Sequence, residues 1–438
     1  MTKVHSWIAA LALLGLTACA NAQQLSAEAL GADVEAWEDW LFATHPQPEF
    51  SMDVDAVRAG FEQVGDSLDG RYSRREAWLA LSVLNPLFAD GHVALRLPTA
   101  DYEAWLADGG AEFTLPVRIS GTRLFVSDGV AASSQVAAGT EILTINNQPV
   151  APLLAQAMAR AHGDTPGLQT YIVETRFSQY LWAITGGAGD WLIEVVAPDG
   201  RTGRIHLDPE RDHANATPEL WSLRHESDAA ILTLNTFAPT HETAFKAFID
   251  EAFAEIAARG TQILVIDVSR NGGGAHQLSD HLLAYLTDQR HTPLSAVTAR
   301  ITAENQALIP GSQIGQVIST PFAQWVEPPA DLPNRFTGRT AFLVGPGTYS
   351  QAIVLAATVQ DFDIAPVAGP GTEGRANSTG QVQLFRLSHS DLEVAAPIYV
   401  FTRASGDASS APVRPDIPIT GARYGQISAL IAHLSPRD

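Results

Sequence analysis

The chain has 438 residues, a length that suggests two or three domains. Hydrophobic residues make up 46% and charged residues 17%, which suits a well-buried globular protein and excludes a disordered one. The formal net charge of -21 would repel a polyanion, so nucleic-acid binding is not expected, and no CxxC pair or His-rich stretch marks a metal site.

Lys3 precedes an apolar run, residues 7–16, of the length of a signal-peptide core and too short to anchor in a bilayer. Leu16-Thr17-Ala18-Cys19 matches a lipobox, while Ala20-Asn21-Ala22 matches the pattern for ordinary signal peptidase. Cys19 is the single cysteine of the chain, and its standing at that position favours the lipobox. Residues 1–22 are therefore expected to be a leader, with lipidation at Cys19. The expected location is the periplasmic side of the cell envelope, as an outer-membrane lipoprotein whose membrane contact is that anchor. No disulfide can form within the mature chain.

Residues 27–43 and 54–68 carry apolar positions at three- and four-residue spacing and predict helices, and residues 74–88 continue the pattern to Asn85-Pro86. Together they make residues 23–98 an N-terminal helical segment, closed by Asp90-Gly91-His92 and a short strand. Residues 110–208 change to short strands. Within them, residues 138–150 read as a turn, a strand, a two-residue turn at Asn146-Asn147 and the start of a helix. That stretch resembles the core of a PDZ domain, although Thr140 and Asn147 depart from its usual Asp and Gly. Residues 215–438 alternate strand and helix: strands at 229–237, 262–268, 339–344, 364–368 and 381–386, helices at 241–259, 277–286, 351–360 and 424–434. The apolar run of residues 263–268 is typical of a buried parallel sheet, so the expected class is an α/β core.

Two segments of this core could carry chemistry. In the first, Gly345-Pro346-Gly347-Thr348-Tyr349-Ser350-Gln351-Ala352 takes a buried strand through a turn into a helix. Ser350 would then stand at the carboxyl edge of the sheet, where helix-terminal N–H groups can stabilise a developing oxyanion. Serine is also among the best helix N-caps, so Ser350 read alone supports either role. In the second, Asp267-Val268-Ser269-Arg270-Asn271-Gly272-Gly273-Gly274 leaves backbone N–H groups bare after a strand. It is neither a P-loop nor GxGxxG, and could be a plain flexible turn.

Taken together, these motifs and the terminal Val413-Arg414-Pro415-Asp416-Ile417 resemble the C-terminal processing (tail-specific) serine peptidase family and the tricorn core. The resemblance implies a ClpP/crotonase-like arrangement of sheet and helix layers. It also implies Ser350 as nucleophile and an oxyanion hole from the backbone of Gly273, Gly274 and Gln351. One branch of the family pairs the serine with a lysine. Position 375 here is Arg375, which cannot act as a base, and no lysine follows Lys246. The other branch uses a histidine from the N-terminal region, which His92 matches. Histidine can take a serine proton near neutral pH. His276, after the glycine run, is the second candidate base. Tricorn-like enzymes place a serine directly before the histidine, where this chain has Gly91, and a glutamate near the terminal motif. The carboxylates that could orient the histidine are Asp407 and Glu373, and the choice stays open.

The resulting expectation is a serine endopeptidase that cleaves exported proteins or peptides and needs no cofactor or metal. Its partner is a peptide, captured at the PDZ-like domain by its C-terminus. Two rivals are a catalytically inactive peptide- or lipophile-binding protein on the same fold, and a hydrolase of esters or other acyl substrates.

Overall fold

The computed structural model describes residues 24–214, 219–226, 228–303 and 305–436. The leader and Cys19 lie outside them.

The first three helices of the N-terminal segment are each capped by a side chain. A strand β1 (Leu25–Ser26) leads into α1 (Ala27–Thr44), whose first turn is capped by the Ser26 hydroxyl. Helix α2 (Val54–Ser67) is capped in the same way by Asp53. After β2 (Arg71–Tyr72), α3 (Arg74–Leu81) opens on a reciprocal capping box between Ser73 and Glu76. The chain then passes the Asp90-Gly91-His92 loop into β3 (Ala94–Leu95) and α4 (Thr99–Ala107).

The middle region is a sheet of order β4-β5-β6-β8-β9, made of β4 (Val117–Ser120), β5 (Arg123–Val126), β6 (Glu141–Ile145), β8 (Leu192–Val196) and β9 (Thr202–His206). The short β7 (Gln148–Pro149) pairs with β6 across the turn at Asn146 and Asn147. Both asparagines have positive φ, 47° and 63°, as a two-residue hairpin requires. Helices α5 (Val150–Met158), α6 (Pro166–Thr175) and α7 (Phe177–Thr185) lie between β7 and β8. Helices α4, α6 and α7 were not expected from the sequence. The N-terminal helices, this sheet and part of the core share one apolar cluster, in which Trp37, Phe88, Leu124, Ile193 and Val394 are all buried.

The core begins with β10 (Trp221–Glu226) and β11 (Ala229–Leu234), followed by α8 (Glu242–Arg259), β12 (Ile263–Asp267) and α9 (His276–Ala284). Two strands, β13 (Leu294–Arg300) and β14 (Val317–Pro321), precede β15 (Arg339–Leu343) and α10 (Gln351–Asp361). The chain ends with β16 (Val367–Gly369), β17 (Thr379–Arg386), β18 (Glu393–Arg403), β19 (Ile417–Pro418) and α11 (Arg423–Leu434). The main sheet has the order β10-β11-β12-β15-β16-β19 and is parallel from β11 onward. Its central strands β11 and β12 are buried on both faces. Leu232, Leu264 and Ile266 pack toward α8, α9 and α10, while Ile231, Ile263 and Val265 pack toward α11. That two-sided burial explains the continuous apolar runs read in the sequence.

The second sheet, β14-β13-β18-β17, is antiparallel, and it receives β3 from the N-terminal segment. Leu95 pairs with Val394, and Ala94 with Ala395. This graft of two residues carries the loop of His92 to the core, joining segments far apart in the chain.

Candidate active site

Strands β12 and β15 are parallel neighbours, so the loops that leave their carboxyl ends lie side by side. The Thr348 hydroxyl donates to the Val268 carbonyl at 2.8 Å, and the Tyr349 N–H donates to the Asn271 carbonyl at 2.9 Å. These two bonds join the Ser350 turn to the glycine loop.

Ser350 has φ 53° and ψ -124°, and its side chain makes no capping hydrogen bond. An N-cap serine adopts extended backbone angles and bonds the second or third helical N–H, so Ser350 is not serving as a cap. A non-glycine residue held at such angles costs about 1–3 kcal/mol and persists only where its surroundings enforce it. The strain lifts the serine out of the helix end and leaves its hydroxyl free.

Gly273 faces this turn. A Cβ built there would lie 2.7 Å from Ser350 Cβ and 2.8 Å from Gln351 N, and Gly273 has φ 98°, so only glycine fits. Its own N–H donates to Asn271 Oδ1 at 2.8 Å. Gly273 therefore supplies room rather than a free donor, which corrects the expectation that its N–H helps form an oxyanion hole. Among the described residues, the N–H groups of Gly272, Gly274 and Gln351 meet no acceptor. Gly272 and Gly274 are exposed, and Gln351 begins α10. Such donors can stabilise a developing oxyanion.

His92 comes to this turn on the loop before β3. Its ring lies against that of Tyr349, with centroids 4.8 Å apart, one residue from Ser350. Nδ1 stands 2.9 Å from Thr379 Oγ1, at the start of β17. The Thr379 hydroxyl donates to Asp90 Oδ1 at 2.9 Å, and the same oxygen accepts the His92 N–H at 2.8 Å. Because Thr379 gives its proton to Asp90, its oxygen accepts from His92. That assigns the proton to Nδ1 and leaves Nε2 as the basic nitrogen.

Asp90 is buried, and its second oxygen faces His45 Nε2 at 3.8 Å. The His45 Nδ1 accepts the Gln47 N–H, so the His45 proton points at Asp90. Burial pushes the Asp90 carboxyl up, but the polar contact with His45 and the charges of His92 and His45 outweigh it and hold it below its ordinary value. The carboxylate is thus anionic and anchors the chain His92–Thr379–Asp90.

The sequence candidates for this orienting role stand elsewhere. Asp407 is exposed and bonds the N–H and hydroxyl of Ser409. Glu373 accepts from the Thr165 hydroxyl at 2.8 Å. Neither is bonded to His92. His276 is exposed at the first residue of α9. Arg375, which occupies the place of a base lysine, spans to the Ala89 carbonyl at 2.6 Å and steadies the His92 loop.

Tyr349 was not singled out from the sequence. Its hydroxyl lies 2.5 Å from where a Gly91 Cβ would be, and 3.4 Å from His92 Nδ1. It fills the space that a serine before the histidine would take, which accounts for the glycine. Burial, and then the charges of Asp164 and Asp90, raise the Tyr349 hydroxyl well above its ordinary value, so it stays protonated and donates to Asp164 Oδ1 at 2.8 Å.

A cleft runs from edge strand β4 along α6 to the glycine loop, lined by Phe113, Tyr171, Glu174, Arg176, Phe177 and Arg270. Within it Glu174 Oε1 accepts the Ile119 N–H at 2.6 Å. Among the described residues, no group of three or more His, Cys, Asp or Glu side chains could hold a metal ion.

Residues 228–419 match the model of peptidase family S41. The structure of mature CPAF superposes with a TM-score of 0.63 at 14% identity, over 90% of this chain and 92% of that one. Mature CPAF complexed with lactacystin gives the same TM-score and identity, over 93% and 97%. At that identity the likeness carries the fold. No curated protein sequence matches the chain.

Proposed function

We propose that this chain, whose residues 228–419 match the model of peptidase family S41, is a serine-type peptidase that hydrolyses peptide bonds of exported proteins through a Ser350 acyl-enzyme. The observation that carries this reading is the strained, uncapped Ser350 beside the hydrogen-bonded chain His92–Thr379–Asp90.

In this mechanism His92 Nε2 takes the Ser350 proton as Oγ attacks the scissile carbonyl. The oxyanion is met by the N–H of Gln351 and by those of Gly272 and Gly274. The imidazolium, held at Nδ1 by Thr379, is stabilised through that hydroxyl by anionic Asp90. His92 then protonates the leaving amine, and the same base activates water for deacylation. The contacts of Thr379 with His92 and Asp90 favour this reading over an inactive binding protein, because they give the histidine an orienting group.

The middle sheet with its helices acts as a PDZ-like peptide receptor. An extended substrate adds along β4, displacing the Glu174 carboxylate from the Ile119 N–H, and runs along the cleft toward Arg270 and the glycine loop. Capture by a free C-terminus and membrane attachment through Cys19 belong to the same reading.

The test is reaction with a labelled fluorophosphonate, followed by peptide mapping. We expect a single adduct on Ser350, formed more slowly when a casein-type peptide competes. A protein that is folded but unlabelled would be a binding protein, and competition by simple esters alone would make it an esterase.

A further inference from the structure

Asp164 lies in the middle region, between α5 and α6, with a side chain only 4% exposed. Its carboxylate gathers three segments distant in sequence. Oδ1 accepts the Gly91 N–H and the Tyr349 hydroxyl, each at 2.8 Å, and Oδ2 accepts the Arg375 N–H at 2.9 Å. Gly91 precedes His92, and Tyr349 precedes Ser350. The side chain of Arg375 holds Ala89 in the His92 loop. One carboxylate therefore touches the neighbours of both the base and the nucleophile.

The residues around it reinforce the contact. The Thr165 hydroxyl donates to Glu373 O and Oε2 at 2.9 and 2.8 Å. Tyr171, on α6, packs so closely on the nucleophile turn that a Cβ at Gly347 would lie 2.3 Å from its hydroxyl. A carboxylate accepting several donors in a dry site makes short, directional bonds, so it fixes the distance between the loops it joins.

We infer that Asp164 is a positioning residue for the reaction: it sets the spacing of the His92 and Ser350 loops, and so makes the middle region a structural part of the catalytic centre. The inference rests on the acyl-enzyme reading above. It does not follow from a role in folding alone, because a clamp that only stabilises the fold would leave the chemistry of folded molecules unchanged.

The test uses Asp164→Asn and Tyr349→Phe in the full-length protein. Asparagine keeps one acceptor oxygen but sets an NH2 group against the Arg375 N–H, while phenylalanine removes only the hydroxyl that Asp164 holds. Each variant should lower kcat roughly 10- to 100-fold, the range for partners that orient a functional side chain, with KM for a peptide nearly unchanged. The rate constant of fluorophosphonate labelling should fall in the same proportion. The double variant should lose less than the product of the two single effects, because both changes act through the same carboxylate.

Native labelling rates in folded Asp164→Asn would overturn the inference. So would a lower labelled fraction at an unchanged rate constant, which marks a purely structural role. If Asp164→Asn does not fold, Tyr349→Phe decides, and a native kcat in that variant overturns the inference. A wild-type protein that does not label at Ser350 overturns the peptidase reading itself, and this inference with it.

Discussion

Ser350→Ala should abolish peptide hydrolysis, lowering kcat by roughly five to six orders of magnitude, the cost of removing a serine nucleophile that works with a paired base. The variant should fold as the wild type does. The Ser350 side chain makes no capping bond, so alanine forfeits none, and the positive φ is equally costly for both residues. Circular dichroism and a urea titration should therefore coincide with those of the wild type, while turnover and phosphonate labelling are lost. Retained labelling would place the nucleophile elsewhere. Residual peptide binding by the inactive protein is expected, because β4 and the cleft are untouched.

The second large effect is at the base. His92→Ala should cost nearly as much as Ser350→Ala, and the double variant should be no slower than either, because a nucleophile without its base is already disabled. Effects that multiply in the double variant would show that the two residues do not act as one unit. Thr379→Val tests the orienting chain. Valine keeps the shape but cannot accept from Nδ1 or donate to Asp90. It should lower kcat by one to three orders of magnitude, less than the roughly 10⁴ lost when a carboxylate bonded directly to the imidazole is neutralised. His276→Ala should stay near wild-type activity, since His276 is exposed on α9. An inactive His276→Ala beside an active His92→Ala would reverse the assignment of the base.

Much of the core could be read from local pattern. The runs that became β11, β12 and β15 are buried on both faces, and such strands announce themselves by unbroken apolar residues. The Asn146-Asn147 turn was legible for a similar reason, since few other residues tolerate two positive φ angles in succession.

Helices α6 and α7 were not read, because Tyr171-Ile172-Val173 and Phe177 to Tyr180 favour extended structure by propensity. The overlooked signal was Thr165-Pro166, an N-cap followed by a first-turn proline. Strand β18 was hidden by Pro397, an unusual residue inside a strand. Here it falls between the stretches paired with β3 and β13, so no ladder bond from that side is lost.

At the site, Ser350, Gln351 and His92 stand in recognisable motifs. Thr379 and Asp164 do not, because their meaning comes from contacts made by residues far away in the chain. Asp90 lay in plain view two positions before His92. Its role depends on burial and on His45, and neither shows in a local pattern.

The backbone at position 350 places function and robustness in opposition. Glycine is the residue best suited to φ 53°, and it would relieve a strain of about 1–3 kcal/mol while adding roughly 0.5–1 kcal/mol of unfolded-state entropy to be lost on folding. Ser350→Gly should therefore unfold at a higher urea concentration than Ser350→Ala, although both are dead enzymes. Drift toward durability at this position leads to an inert protein, so a working lineage must keep renewing a choice that stability alone would discard.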